Sequence, residues 1–242
     1  MSRVAIVTGG SGGIGRAVAE RLAADGLAVA VHYAGNQAAA DEVVAKIQSN
    51  GGKAFTYGGD VADEQAMTAL FDATEERFGG VDVVVNPAGI MLLAPVAEMK
   101  LDDFDRMMRT NIRGAFIVSQ LAARRLRAGG ALINVSTSVV RLQQPTYAAY
   151  VASKSAVEAM TLILARELRG RDVTVNTVAP GPTDTPLFTD GKPQELIDRI
   201  AAANPFSRLG TPDDIARSVS FLAGPDGRWI NGQTLYANGG AA

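Results

Sequence analysis

Val4-Ala5-Ile6-Val7-Thr8-Gly9-Gly10-Ser11-Gly12-Gly13-Ile14-Gly15 decides the fold. Four apolar residues of the buried-strand kind run into a glycine loop, and the loop opens into the helical spacing Ile14, Val18, Leu22. Strand, loop and helix in this order need glycine for a physical reason. The turn is tight, the backbone must approach a pyrophosphate without Cβ atoms in the way, and the helix packs closely on the strand with the anion at its N-terminus. Two spacings fit the same residues: Gly10, Gly12 and Gly15 match G-x-G-x-x-G, while Thr8-Gly9, Gly13 and Gly15 match T-G-x-x-x-G-x-G. A flexible Gly/Ser linker shares the composition but is not flanked by a buried strand and an amphipathic helix.

Working outward, apolar runs at 27–33, 54–57, 81–85, 131–135, 173–178 and 229–236 read as further strands. Helical patterns at 38–48, 101–127 and 151–165, and one opened by Thr211-Pro212-Asp213-Asp214, separate them. Strict alternation predicts an α/β fold: one Rossmann-like, doubly wound parallel sheet of about seven strands with helices on both faces. Residues 1–242 then form a single dinucleotide-binding and catalytic domain. Ligands on such sheets sit at the carboxyl ends of the strands, where Thr8 to Gly15, Asp60, Asn86 to Gly89, Ser136 to Ser138 and Pro180 to Thr183 all fall. The Pro- and Gly-rich stretch 179–204 stands above that edge and is expected to be a substrate lid.

Acid–base chemistry enters at the fifth strand. Ser136, Thr137 and Ser138 follow it, and Tyr150 and Lys154 then stand at i,i+4 spacing on one helix face. A free phenol titrates near 10, and a fixed cation beside it is expected to lower that value so that the tyrosine can exchange protons with a substrate oxygen. The second strand ends in His32-Tyr33-Ala34-Gly35-Asn36 without a carboxylate for ribose hydroxyls, so NADP(H) is expected over NAD(H), although no arginine follows to clamp a 2′-phosphate. Arg16 is either such a partner or a solvated helix residue, and His32 is read as a strand-end or surface residue. Asp60-Val61 either lines an adenine pocket or caps the helix before Glu64. Asn111, inside a helix drawn as continuous, is either solvated or holds a kink and a water.

Composition removes competing chemistries. The 242 residues carry a net charge of -2 and no cysteine, and His32 is the only histidine. That excludes disulfides, thiolate metal sites and cysteine nucleophiles, and a Ser-His-Asp triad would have to use His32. No metal site is expected, and no single-sign charge run points to nucleic acid or an anionic membrane. No signal peptide or membrane-length span is read, so a soluble cytoplasmic protein is expected.

Taken together in order and spacing, Thr8-Gly9…Gly13-x-Gly15, Asn86-x-Ala88-Gly89, Asn111, Tyr150-x-x-x-Lys154 and Pro180-Gly181 resemble the short-chain dehydrogenase/reductase family over Arg3 to Gly240. Within it the sequence looks closest to 3-oxoacyl-acyl-carrier-protein reductase-like and trihydroxynaphthalene reductase-like members. The resemblance implies interconversion of a small-molecule carbonyl and alcohol with NADP(H), Tyr150 acting as general acid/base. Lys154 would hold the nicotinamide ribose and depress the phenol, Asn111 would anchor a relay water, and Thr183 would reach the carboxamide. Thr137, Ser138 or Ser136 would bind the substrate oxygen. The implied cofactor surface takes Gly9, Ser11, Gly12, Gly13, Ile14, Gly15, Tyr33, Asn36, Asp60, Val61, Asn86, Ala88, Gly89, Tyr150, Lys154, Pro180, Gly181 and Thr183. A homotetramer or homodimer through the helices of Asn111 and Tyr150 is implied as well. Three departures stand out: Pro87 replaces a usual asparagine, Thr137 occupies the usual serine position, and Arg141, where a small residue is common, is either a solvated loop charge or a cation at the pocket mouth. The other reading is a non-catalytic dinucleotide-binding sensor or scaffold, a class that normally lacks the Tyr/Lys pair.

Overall fold

The computed structural model describes residues 2–242. Seven strands form one parallel sheet in the order β3-β2-β1-β4-β5-β6-β7, comprising β1 (Val4–Val7), β2 (Ala28–Tyr33), β3 (Ala54–Gly58), β4 (Val81–Asn86), β5 (Leu126–Val135), β6 (Thr174–Pro180) and β7 (Thr234–Ala237). The chain builds outward from β1 to β3, then returns to the other side of β1 with β4. The strand order therefore reverses between β1 and β4, and a crevice opens there at the carboxyl ends.

Alternation along the strands feeds two apolar layers. Ala5, Val7, Val29, Val31, Val83 and Val85 face α1 (Gly13–Ala24), α2 (Gln37–Ser49) and the late helix Pro212–Ala223. Ile6, Ala30 and Val84 face Met67, Leu70 and Phe71 of α3 (Glu64–Phe78), together with Ile117, Val118 and Leu121. Strands buried on both faces read as continuous apolar runs, which is why β1 and β4 were legible. Burying a side chain of the size of Ile6 or Phe71 contributes about 1.5–3 kcal/mol.

The stretch 101–127 departs from expectation. Instead of one helix it gives α4 (Leu101–Met108), a π-helical turn at Arg109–Gly114, and α5 (Ala115–Arg125). The break coincides with Asn111, whose side chain is drawn inward. Leu126 and Arg127, expected to end the helix, instead open β5, which begins five residues before the expected 131 and pairs with β4 from Val81↔Leu126. Arg127 makes that pairing worthwhile, since its Nε donates to Asp82 Oδ1 at 2.9 Å while Asp82 Oδ2 accepts from the Val4 N–H at 2.7 Å. At the far edge β7 is only four residues long, and Trp229, expected inside it, is exposed.

After β5 come α6 (Val139–Leu142) and α7 (Ala148–Glu167). By length and apolar composition α7 could cross a membrane, against the sequence reading. Here it buries Tyr150, Ser153, Lys154, Val157 and Thr161 on its sheet side and leaves Leu162 and Ile163 exposed. Beyond β6 follow α8 (Pro186–Thr189), α9 (Gln194–Ala203) and α10 (Pro212–Ala223), the last closed by a capping box between Thr211 and Asp214.

Candidate active site

Sheet register brings the strand ends level. Val7 pairs with Val85, Asn86 with Asn134, Val135 with Val178 and Pro180 with Ala237. A cavity of about 360 Å³ opens over these ends, lined among others by Gly9, Gly12, Gly13, Ile14, Gly15, Ala88, Gly89, Thr137, Ser138, Tyr150, Lys154, Pro180, Gly181 and Thr183. Residues separated by up to 179 positions, Gly9 and Phe188, thus share one wall.

The glycine loop has the geometry its spacing implies. A Cβ on Gly15 would lie 2.1 Å from Gly9 O, so only glycine lets the start of α1 pass beneath the loop. A Cβ on Gly12 would meet nothing within 4 Å. The loop therefore presents bare backbone at the N-terminus of a 12-residue helix, a surface that accepts a phosphate-bearing group. Opposite it, the Ala88 N–H donates to Thr8 Oγ1 at 3.4 Å, and Thr8 Oγ1 donates to Asn86 Oδ1 at 2.5 Å. The turn survives Pro87, because its internal bonds use Ala88 and Asn86.

Tyr150 and Lys154 share the cavity wall. Lys154 is buried, and its Nζ donates to Val135 O at 2.8 Å, leaving two N–H donors of the ammonium. Burial lowers it from 10.5 to about 8. Tyr150 is 7% exposed, and that remaining surface lies on the cavity wall. Its hydroxyl bonds to no other described residue and is not sealed off, the buried unpaired side-chain atoms being Ser119 Oγ and Thr174 Oγ1. The expected acidified phenol is absent from this arrangement. Burial first, and the neighbouring Tyr147 second, push the Tyr150 phenol above its ordinary value. Lys154 Nζ stands 5.9 Å from the ring centroid, and its field does not offset desolvation. A phenol held protonated is suited to donating a proton.

The three hydroxyls after β5 separate. Ser136 Oγ donates to Glu158 Oε1 at 2.6 Å, and Ser138 Oγ donates to Ala179 O at 3.3 Å. Thr137 Oγ1 only accepts, from the Val139 N–H at 3.3 Å, so its proton is uncommitted. Asn111 is 1% exposed, which removes the solvated reading. Its Oδ1 accepts from the Ile90 N–H at 2.9 Å, and its Nδ2 donates to Ile90 O at 2.9 Å and to Ser153 Oγ at 3.0 Å. Both N–H donors of that amide are committed, and Oδ1 keeps one lone pair. Thr183 Oγ1 donates to Gly181 O at 2.8 Å and keeps its lone pairs.

Ser11, Tyr33, Asn36, Asp60, Val61, Asn86 and Asn111 lie off the cavity wall. Asn36 Oδ1 caps α2 through the Ala39 N–H. Asp60 caps no helix, since Asp63 caps α3; its Oδ2 pairs instead with Arg109 at 2.9 Å, at the start of the π turn. Val61 is buried beneath Gly114 at the end of that turn. Arg16 is held by Glu20 and Glu42. Arg141 is neither a pocket cation nor a free surface charge: it stacks 3.5 Å over the Tyr236 ring. Sequence reasoning missed Tyr147, edge-on to Tyr150 with centroids 6.5 Å apart, while Pro186, Leu187 and Phe188, within the stretch expected to be a lid, line the cavity. A second tyrosine three residues before the first was the signal available for Tyr147.

The chain matches the family model described as Enoyl-(Acyl carrier protein) reductase over residues 9–242. It is 44% identical over 248 residues to a short-chain type dehydrogenase/reductase of Picea abies, covering 98% of this chain and 92% of that one. It is 42% identical over 252 residues to the NADPH-dependent aldehyde reductase-like protein, chloroplastic, of Arabidopsis thaliana, covering 98% and 93%. Among solved structures, a short chain dehydrogenase from Burkholderia cenocepacia J2315 in complex with NADP superposes with a TM-score of 0.93 at 40% identity, covering 99% of this chain and 97% of that one.

Proposed function

Because the chain belongs to the short-chain dehydrogenase/reductase family, an oxidoreductase family, we propose that it reduces a small-molecule carbonyl to an alcohol with NADPH, and runs the reverse reaction, with Tyr150 as general acid/base. The observation that carries this reading is the Tyr150 hydroxyl: unpaired by protein, protonated through burial, and open to the one cavity that also exposes the glycine loop.

A dinucleotide would lie along the wall that the glycine loop and the strand ends share. Gly9, Gly12, Gly13, Ile14 and Gly15 would take the pyrophosphate, Ala88, Gly89 and Lys154 the nicotinamide ribose, and Pro180, Gly181 and Thr183 the carboxamide. The absence of a carboxylate at the end of β2, and the NADP and NADPH in the names of relatives, support the phosphorylated coenzyme. When bound, the nicotinamide supplies hydride to the carbonyl carbon.

This chain's part is protonic and steric. Thr137 O–H donates to the substrate oxygen and fixes it, as an oxyanion donor does. Tyr150 delivers its proton to the same oxygen as negative charge develops there. Lys154, charged below about pH 8, offers its two remaining N–H donors to the ribose and to the phenolate that proton transfer leaves. Asn111 joins the π turn to Ser153 of α7 and so fixes the helix that bears both residues. Residues 179–204 act as the lid, with Leu187 and Phe188 contributing apolar surface over the substrate. The exposed apolar residues Phe116 on α5 and Leu162 and Ile163 on α7 support a homo-oligomer, a tetramer in our reading.

A panel of ketones, quinones and 3-oxoacyl thioesters, assayed with NADPH and with NADH, tests the proposal. Turnover of at least one class with preference for NADPH is the expected result. Coenzyme binding without turnover of any class would favour the sensor reading.

A further inference from the structure

His32 is the strand-end residue its sequence position implies, and not a surface one. It is the penultimate residue of β2, it is fully buried, and both ring nitrogens have partners. The Gly9 N–H donates to Nδ1 at 3.3 Å, and Nε2 lies 2.9 Å from Gly59 O. An amide N–H only donates and a carbonyl only accepts, so Nδ1 must be bare and Nε2 must carry the proton. The two contacts demand one neutral tautomer.

What the ring holds matters more than that it is held. Gly9 has φ +58 and no side chain to anchor it. Its carbonyl already abuts Gly15 at the start of α1, and the Gly10 N–H donates to His32 O at 2.7 Å. The imidazole supplies the remaining fastening, on the Gly9 N–H, and its other nitrogen reaches Gly59 O just before Asp60-Val61. One side chain thus bridges the phosphate-facing loop and the end of β3.

We infer that His32 is a positioning residue for coenzyme binding: it fixes the orientation of the Gly9 peptide, and with it the backbone surface offered to the pyrophosphate, without touching the coenzyme. The inference rests on the reading that the chain binds NADPH. Charged groups around the ring are few. Asp60 is the one whose field reaches it, and Asp60 is paired with Arg109.

Two variants separate positioning from packing. His32→Leu keeps apolar bulk and removes both bonds, while His32→Asn places an amide oxygen where Nδ1 stands and can still accept from Gly9. NADPH fluorescence titration is expected to give His32→Leu a Kd raised about tenfold or more and His32→Asn a Kd within about threefold of the parent. At saturating NADPH, kcat of both is expected within about threefold of the parent, because the chemistry is untouched. Equal weakening in both variants, or none in His32→Leu, would overturn the inference. Should His32→Leu fail to fold, nitrogen NMR of the parent chain decides: its single imidazole must show the Nε2–H tautomer, and an Nδ1–H tautomer would overturn the inference. A parent chain that binds no NADPH would overturn the functional reading itself, and this inference with it.

Discussion

Ser136 Oγ donates to Glu158 Oε1 across 2.6 Å, and Glu158 Oε2 in turn accepts from the Tyr236 hydroxyl at 3.2 Å. The first of three consecutive hydroxyls is therefore committed to the flank of α7, and the third to Ala179 O. Thr137→Val, which keeps shape and deletes the free hydroxyl, is expected to lower kcat for carbonyl reduction by about 10²–10³-fold. Ser136→Ala and Ser138→Ala are expected to cost less than about tenfold. Steady-state kinetics on the three variants check this, and a larger loss at Ser138 would reassign the oxygen-binding role.

The pH dependence of turnover follows from Lys154. Its value is lowered to about 8, so its positive charge is present below that pH and lost above it. The Tyr150 phenol, pushed upward, stays protonated throughout this range. Reduction is expected to be level below about pH 7 and to fall above about pH 8, governed by one group. A reduction profile level to about pH 10 would contradict the assignment of Lys154.

His32 links stability to acid. Burial lowers it from 6.5 to about 4, so the unfolded chain binds a proton in this window that the folded chain refuses. The contribution is fully present above about pH 6.5 and is lost as pH falls through about 4, amounting at most to about 3 kcal/mol. Urea unfolding at pH 7 and pH 5 should show part of this loss in the parent chain and less of it in His32→Asn.

Gly12 and Gly15 are expected to fail differently. Gly15→Ala forces a Cβ to within 2.1 Å of the Gly9 carbonyl, a backbone atom that cannot swing aside. It is expected to lower stability by roughly 1–3 kcal/mol and to weaken NADPH binding. Gly12→Ala meets no protein atom within 4 Å, so Tm is expected to hold while NADPH affinity falls. Thermal melts paired with NADPH titration separate the two.

Much of this architecture was legible because it is periodic. Buried parallel strands are uniformly apolar, and the glycine spacing marks the point where β1 feeds α1. Illegible were features set by side chains reaching across the fold. An asparagine inside 101–127 marked a kink as one of two readings, but not that Asn111 turns inward to Ile90 and Ser153, because these partners lie 21 and 42 residues away. Arg127 completes β5 through Asp82, which no local pattern reveals. The i,i+4 spacing of Tyr150 and Lys154 predicted their shared face but not the burial that outweighs the lysine's field. His32 is the strand-end residue it was read as, but its burial was hidden because the sequence cannot show that Gly9 and Gly59 flank it.

The central claim is that Tyr150 hands its proton to the substrate oxygen. Tyr150→Phe, measured for NADPH affinity and for turnover on one active carbonyl, tests it directly. The predicted result is NADPH binding within about threefold of the parent with turnover reduced at least about 100-fold. Turnover close to that of the parent would contradict it.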